Sequence, residues 1–337
     1  MNYVGLDLGL RQSSLCLLDA HGKILQRQEI KGDWNQVAQT VRQLPGPLAV
    51  CFEASCGYGR VYDLLQPHAA RLSVAHPGQL RLIYHAKKKN NRLDAEKLAK
   101  LLYLDLVPQV HVPALDVRAW RALIEFRQTI VHRRVAVKNQ LRALLRGLGI
   151  AAPRGLWTVK GQHWLQTLEL GGMDGLRRDM LLQELEQIHQ RLQSVEAELE
   201  QIAKTHPGVA LLRTIPGVGL RTAEAFVAYI DDPRRFARVR QVGSYLGLVP
   251  CQDATGDLNR LGHITRDGPA TVRKLLCEAA WQSIRRDPAL KAYFERVMRG
   301  DPERKKIALV ATAHHLARVM LAMLRTGEVY RSAKVPG

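Results

Sequence analysis

Acidic residues are scarce in this sequence relative to basic ones. Of its 337 residues, 50 are Lys or Arg and 31 are Asp or Glu, so the formal net charge is +19. An excess this large repels itself in a folded protein. We therefore expect a polyanionic partner, and nucleic acid is the one that such a charge balance favours. Charge alone does not distinguish DNA from RNA.

The sequence also lacks the spacings of a zinc-binding or disulfide-rich protein. Its cysteines are few and odd in number, and they form no CxxC pair: Cys16, Cys51, Cys56, Cys251 and Cys277. No apolar run approaches the roughly 18 residues of a membrane span, and the first residues enter a strand pattern at once, without a signal-peptide core. We expect a reduced, cytoplasmic protein with no membrane partner.

The N-terminal part has the alternation of an α/β domain. Three strands follow one another closely, and helices and strands then alternate, which is typical of a sheet with helices on both sides. The predicted segments in chain order are strands at 3–8, 13–18 and 24–29, a helix at 34–44, a strand at 48–53, a helix at 58–67 and a strand at 71–75. Pro108 and Pro113 break the chain after a further helix that starts near residue 92, so the first domain is predicted to cover residues 1–114.

The remaining chain is predicted to be helical. Residues 115–205 carry two seams of apolar residues, one repeating every seven residues and one alternating spacings of four and three. The seams are Leu123, Ile130, Val137 and Leu144 in the first helix, and Leu181, Leu185, Ile188, Leu192, Val195, Leu199 and Ile202 in the second. They indicate a coiled-coil arm, either a hairpin within one chain or a dimerisation arm. A third, helical domain is predicted at 206–330, with one loop region at 248–269.

Three carboxylates stand at the ends of predicted elements. Asp7 ends the first strand, Glu53 ends the buried fourth strand, and Asp94 opens a helix that follows the basic run Lys87–Lys89. Asn91 lies three residues before Asp94, so both side chains can face the same ion. A two-metal phosphodiester site needs anionic oxygens that bridge ions about 3.5–4 Å apart. Single residues of this kind often only cap turns, but Asp7 lies in Gly-Leu-Asp-Leu-Gly, where small neighbours permit close approach of a ligand.

A glycine-rich turn, Ile215–Gly219, separates two helical segments in the C-terminal part. Such a turn exposes backbone N–H groups that can bind a DNA phosphate, although it can equally be an ordinary connection, and surface arginines are often only solvated. With neighbouring basic residues it gives the candidate nucleic-acid contacts: Lys87, Lys88, Lys89, Arg213, Gly217, Gly219, Arg221, Arg260, Arg266 and Arg273.

Six stretches, in register over nearly the whole chain, resemble the DEDD family of insertion-sequence transposases. They are Val4-Gly-Leu-Asp7-Leu-Gly, Glu53-Ala-Ser-Cys-Gly-Tyr, Asn90-Asn-Arg-Leu-Asp94, the segment 212–223, Ser244–Pro250 and Gly262-His-Ile-Thr-Arg. The resemblance implies an RNase H-like (RuvC-like) sheet domain, a coiled-coil arm and a C-terminal transposase domain. It also implies Mg²⁺ or Mn²⁺ held by Asp7, Glu53, Asn91 and Asp94.

The same resemblance implies an activity and partners. A noncoding bridge RNA would pair with donor and target DNA, while a homodimer or homotetramer in the bacterial nucleoid exchanges strands. A serine in the loop after Leu-Val-Pro would join the carboxylate site and form a covalent 5′-phosphoserine.

Two positions depart from the family pattern. The third acidic position falls on Asn91, which offers a carbonyl oxygen but no charge. The serine position falls on Thr255, or on Ala254 if the register is one residue shorter. Both departures bear on catalysis rather than on fold.

Three alternatives therefore stay open. The first is a nucleic-acid-binding protein with an inactive site, and the second is a nuclease similar to Holliday-junction resolvases. The third is an ATPase of the actin and sugar-kinase type, because Gly-Leu-Asp-Leu-Gly also resembles the first phosphate loop of that fold. The ATPase would need a second Asp-x-Gly phosphate loop, and the sequence has no such context for one.

Overall fold

A five-stranded mixed sheet organises the N-terminal part of the chain. The computed structural model describes residues 1–83, 91–255 and 258–332 and forms two units, residues 1–118 and 119–337. The strands of the first unit are β1 (Asn2–Asp7), β2 (Gln12–Leu18), β3 (Ile24–Lys31), β4 (Leu48–Glu53) and β5 (Arg71–Ala75). Their order across the sheet is β3-β2-β1-β4-β5. The meander β1–β3 is antiparallel, whereas β4 and β5 run parallel to β1.

Helices pack on both faces of this sheet, which confirms the predicted mixed α/β class. The helices of the first unit are α1 (Trp34–Arg42), α2 (Tyr58–Leu65), α3 (Pro77–Ile83) and α4 (Asn91–Tyr103), with a 3-10 turn at Gln66–His68. Side chains alternate along a strand, so Val4 and Leu6 face the core that holds Val37 of α1 and Val61 of α2. The opposite face is covered by α4.

The second unit contains two long helices and a globular helical part. Its elements are α5 (Leu115–Gly147), which begins in the first unit, α6 (Val159–Thr167), α7 (Gly172–Thr205), α8 (Pro207–Leu212), α9 (Leu220–Ile230), α10 (Gln241–Tyr245), β6 (Pro250–Thr255), β7 (Leu258–Ile264), α11 (Ala270–Ser283), α12 (Pro288–Met298) and α13 (Lys305–Thr326). Two 3-10 turns lie at Pro233–Arg235 and Pro302–Arg304.

The two predicted apolar seams pack against each other inside one chain. Ile130 and Val137 of α5 share a core cluster with Leu185, Ile188 and Leu192 of α7. An ion pair also joins the two helices, with Arg127 Nη2 lying 2.5 Å from Glu196 Oε1. These contacts fit the hairpin interpretation of the arm, while a dimerisation role for it stays a prediction.

Among the described residues, one helix, α13, is long and apolar enough to cross a membrane by length and composition, although the sequence holds no unbroken apolar run of that length. An 18-residue window within Pro302–Thr326 has a mean hydropathy of 1.6. The run contains Ala, Thr and His residues among its larger apolar ones, which hides it from a search for unbroken hydrophobic stretches. In the structure Leu316, Met320 and Leu321 are fully buried in the core of the second unit. The composition is therefore accounted for by the position of α13 as a core helix.

The predicted loop at 248–269 is wrong in part, because β6 and β7 form an antiparallel hairpin there. Thr255 pairs with Leu258 in the backbone register, so two residues, Gly256 and Asp257, separate the paired positions. Gly followed by Asp between two strands is a recognised hairpin signal. The polar composition of the segment obscured it.

The packing of α4 on β1 gives a stability prediction. A β-carbon added at Gly5 would lie 2.1 Å from the carbonyl oxygen of Ala95 and 2.4 Å from the amide nitrogen of Ala99. Both contacts are backbone atoms of α4, so Gly5→Ala must push the helix away. Overpacking of this kind costs about 1–3 kcal/mol. We expect faster hydrogen exchange in peptides from β1 and α4, measured by mass spectrometry.

Gly147→Ala is the matched control, since it ends α5 and an added β-carbon there meets nothing within 4 Å. Replacing glycine by alanine at such a helical position gains about 0.5–1 kcal/mol. Unchanged exchange in Gly5→Ala would contradict the close packing.

Candidate active site

Asp7 and Glu53 end neighbouring strands of the first sheet. The strands β1 and β4 are parallel, and their register pairs Leu6 with Phe52. The next residues along, Asp7 and Glu53, therefore lie side by side, at the strand spacing of about 4.8 Å. By alternation both side chains are on the face that α4 covers, with Asp7 half-buried and Glu53 exposed. The structure thus brings two of the predicted carboxylates together.

The helix α4 runs antiparallel to β1 and brings Asp94 to the same edge. Its C-terminal Tyr103 contacts Tyr3 near the start of β1, with the ring centres 5.3 Å apart. Its N-terminal part lies over Gly5, whose Cα faces the Ala95 carbonyl. Asp94 directly precedes Ala95, in the first turn of α4. The first turn of α4 is therefore at the carboxyl end of β1, where the two strand-end carboxylates lie.

These donors suit an oxygen-preferring divalent cation in chemical type. Carboxylate oxygens are the ligands that Mg²⁺ and Mn²⁺ prefer. The Asp94 carboxylate is engaged by its own helix, since Lys97 Nζ lies 2.8 Å from Asp94 Oδ1. Among the residues that the structure describes, no three His, Cys, Asp or Glu side chains are close enough to form a metal-binding group. Asn91 begins α4, but its side chain lies outside the described part, as do residues Lys87–Lys89.

Two polar residues of the same row were missed by sequence reasoning. Ser14 of β2 is the cross-strand partner of Asp7, and Glu29 of β3 is the partner of Ser14. Cross-strand partners share a face of the sheet, so the row across three strands reads Glu29, Ser14, Asp7. The Ser14 side chain is buried. The sequence predicts the three antiparallel strands, and aligning them residue by residue would have placed these three side chains in one row.

Trp34 was missed for a different reason. Its indole N–H donates a hydrogen bond to the carbonyl oxygen of Gly9, at 3.1 Å. A β-carbon added at Gly57 would lie 2.2 Å from Trp34 Cη2, so the ring packs directly on that glycine. Gly9 follows Asp7 by two residues, and Gly57 follows Glu53 by four. Trp34 therefore holds the two loops that leave the carboxylate edge, a role that depends on tertiary packing and has no local sequence signal.

The glycine-rich turn lies between α8 and α9, as predicted. Gly219 is the N-cap residue of α9, is exposed, and provides no side chain to cap the helix. Gly217 has a φ of +94°, and its Cα lies against Ser283, where a β-carbon would come within 2.5 Å of the Ser283 amide nitrogen. Arg213 on the same turn is exposed. Exposed amides at a helix start suit a phosphate oxygen.

Arg221 is placed differently from the other predicted contacts. Its guanidinium is 2.7 Å from Glu224 Oε2 and 3.1 Å from Glu200 Oε1. Burial raises the pKa of Glu224 to about 7, although the Arg221 guanidinium acts in the opposite direction. Arg221 therefore neutralises a buried carboxylate and links α9 to α7.

Arg273 likewise has an internal role, because its Nη1 donates to the carbonyl oxygens of Leu246, Asp267 and Gly268. Arg260 and Arg266 are exposed near the hairpin. Ala254 and Thr255 end β6, and their side chains lie outside the described part. Of the predicted arginines, Arg213, Arg260 and Arg266 are thus the exposed ones.

Replacing Glu53 by Gln tests the carboxylate edge. The change removes one negative charge from an exposed side chain and leaves its size unchanged. Loss of an outer-shell partner alone costs about 10–100-fold in metal affinity, so loss of a ligand charge should weaken Mn²⁺ binding by at least about tenfold. Isothermal titration calorimetry of the whole chain measures this affinity.

The matched control is Asp105→Asn. Asp105 pairs with Arg71, which begins β5, so it lies at the opposite end of the sheet. Its φ of +56° is one that asparagine tolerates. Equal Mn²⁺ affinities for Glu53→Gln and Asp105→Asn would remove Glu53 from the site.

Comparison with known proteins bears on both units. A transposase family model of the IS110 DEDD kind matches residues 4–150, and a model described as the transposase IS116/IS110/IS902 family matches residues 209–295. The chain is similar to the transposase for insertion sequence element IS1111A of Coxiella burnetii, with 28% identity over 97% of this chain and 91% of the relative. It is also similar to the transposase for insertion sequence element IS1328 of Yersinia enterocolitica, with 26% identity over 97% of this chain and 98% of the relative. The chain belongs to the IS116/IS110/IS902 family of transposases.

Proposed function

We propose that this transposase exchanges DNA strands for its insertion sequence under the guidance of a noncoding RNA. The observation that carries the proposal is the carboxylate edge: Asp7 and Glu53 are adjacent at the ends of two strands, and Asp94 is in the helical turn over the same end. Carboxylates gathered in this way suit phosphodiester chemistry. The matches to transposases over both units support DNA as the substrate.

Asp7, Glu53 and Asp94, with the carbonyl oxygen of Asn91, would hold Mg²⁺ or Mn²⁺. A divalent cation bound there lowers the pKa of an oxygen nucleophile and neutralises charge on a phosphate. The protein itself contributes the orientation of these ligands. Trp34 fixes the loops behind Asp7 and Glu53, and the close contact at Gly5 fixes the start of α4.

Thr255, at the end of β6, would supply the hydroxyl that attacks the DNA. In that step a bond forms between Thr255 Oγ1 and phosphorus while the bond from phosphorus to the 3′ oxygen breaks. The hydroxyl proton passes to a base, and the departing 3′ oxygen takes up a proton. A threonine hydroxyl must be activated, and its β-methyl group restricts χ1 and crowds the in-line approach to phosphorus. Strand exchange by this chain should therefore be slow.

The net charge of +19 supports contacts to both nucleic acids. The donor and target DNA and the guide RNA each present a phosphate backbone, and release of counterions from it favours binding to a basic surface. We further propose that the chain acts as a homodimer or homotetramer at the bacterial nucleoid. The hairpin of α5 and α7 is the element whose length suits such an assembly.

The departures at Asn91, Ala254 and Thr255 favour one competing function. A chain without a third acidic ligand and without a serine would bind nucleic acid and leave its strands intact. A nuclease similar to Holliday-junction resolvases is the other alternative, in which water replaces the protein hydroxyl. The two alternatives differ from the proposal in whether protein becomes covalently attached to DNA.

The test is covalent adduct formation on a denaturing gel with Mg²⁺. The components are the terminal DNA of the insertion sequence that encodes the chain and the noncoding RNA transcribed from the same element. Thr255→Ser and Ala254→Ser are compared, each combined with Asn91→Asp. We expect the Thr255→Ser variant to give more adduct than the wild-type chain, because the β-methyl group is gone. Ala254→Ser gives the adduct instead if the register is one residue shorter.

Glu53→Gln added to the more active variant is the control, and it should abolish the adduct. If neither serine variant forms an adduct while RNA and DNA still bind, the hydroxyl mechanism fails and the binding function stands. Cleavage without adduct would instead indicate the nuclease.

A further inference from the structure

Residues 126–168 contain no aspartate or glutamate. The same 43 residues contain eight basic residues, Arg127, Arg133, Arg134, Lys138, Arg142, Arg146, Arg154 and Lys160. They cover the C-terminal two thirds of α5, the following connection and α6. The partner helix α7 differs, because acidic residues such as Asp174, Asp179 and Glu196 are distributed along it. The segment from residue 126 to residue 168 thus carries charges of a single sign.

Three of these cations form a stripe on α5. Arg134, Lys138 and Arg142 are spaced four residues apart, so they lie on one face of the helix. Like charges at this spacing destabilise a helix. Among residues 1–83, 91–255 and 258–332, none of the three forms an ion pair, whereas Arg127 on the same helix pairs with Glu196.

Trp157 organises two members of the stripe. Lys138 Nζ lies 4.8 Å from the centre of the Trp157 ring, and Arg142 Cζ lies 5.4 Å from it. Both distances are within the range of a cation–π interaction. The connection after α5 therefore folds back onto the helix and holds two like charges at fixed positions, so that less side-chain freedom is lost when an anion binds.

The surroundings of the stripe are also electropositive. Burial lowers the pKa of Lys138, and the neighbouring Arg134 and Arg142 lower it further. On the facing helix α7, burial lowers the pKa of His189, with Lys138 and Arg134 acting in the same direction and Glu186 against them. The like charges are thus close enough to affect each other, and a bound anion would relieve this repulsion.

The dimensions of the stripe suit a nucleic-acid strand. Four residues of α-helix rise about 6 Å, so the stripe spans about 12 Å. One strand of a duplex carries a phosphate about every 3.4 Å along the axis, so three or four phosphates fall within this length.

We propose that Arg134, Lys138 and Arg142, held by Trp157, form a binding site for a nucleic-acid phosphate backbone on the helical arm. The inference rests on the proposed function, since it names where that nucleic acid contacts the arm. The shared chemistry is the phosphodiester backbone, which RNA and DNA both present.

The experiment compares two triple variants of the full chain. The stripe variant is R134Q/K138Q/R142Q. The matched control is R177Q/R234Q/K291Q, whose three cations are exposed and already paired with Asp174, Asp232 and Glu295. Both variants lose three positive charges, so general electrostatic attraction falls equally. Circular dichroism first establishes that both remain folded.

Affinity is measured by fluorescence anisotropy with a labelled RNA and with a labelled DNA duplex of equal length, over a range of KCl concentrations. Each lost phosphate contact reduces the slope of log K against log salt by about 0.7–0.9. For the stripe variant we expect the magnitude of that slope to fall by about 2–3 and the affinity at low salt to fall at least tenfold. For the control we expect the affinity at low salt to fall less than threefold. A loss confined to RNA or to DNA identifies which backbone occupies the site.

Trp157→Leu keeps every charge but removes the ring. We expect a two- to fivefold weaker affinity, which is the worth of an exposed cation–π contact of about 0.5–1 kcal/mol, with an unchanged salt slope. Equal losses in the stripe variant and the control would overturn the inference while nucleic-acid binding stands. A wild-type chain that binds neither probe would instead overturn the proposed function.

Discussion

The contact between α4 and β1 at Gly5 determines the geometry of the first unit. With no side chain at Gly5, the carbonyl of Ala95 and the amide of Ala99 approach the strand within the space of a single β-carbon. Cores are packed too tightly to absorb such a change freely. The contact fixes the distance of α4 from the sheet and the direction in which the helix runs. It therefore brings Asp94 to the edge where β1 and β4 end. The carboxylate arrangement is therefore a consequence of backbone packing.

Much of this unit follows from the sequence, since alternating side chains and turn residues predict the strands and their bounds within one or two residues. The placement of Asp7, Glu53 and Asp94 at one edge also follows, because strand ends and a helix start are local features. The role of Trp34 does not follow, because it depends on two loops that are distant from it in sequence. The β6–β7 hairpin was predictable from Gly256-Asp257, but its polar composition was interpreted as a loop.

Basic residues divide into two classes that composition cannot separate. Arg118, Arg221 and Arg273 are held by internal partners, namely Asp63, Glu224 and backbone carbonyls. Each satisfies groups inside the protein, so it stabilises the fold. Arg134, Lys138 and Arg142 belong to a segment without acidic residues, and they face one another. Cations held by internal partners leave no charge for a polyanion, so the net charge overstates the number of cations that can contact nucleic acid.

The proposed divalent-metal site lies at the edge formed by β1, β4 and the start of α4. Hydroxyl-radical cleavage from bound Fe²⁺ tests it most directly, because Fe²⁺ occupies oxygen-ligand sites of Mg²⁺ and the radicals cut the nearest backbone. We expect cuts in three separate segments, around Asp7, Glu53 and Asp94, which excess Mg²⁺ suppresses. Cuts concentrated elsewhere, or cuts around Asp7 without cuts around Glu53 and Asp94, would contradict it.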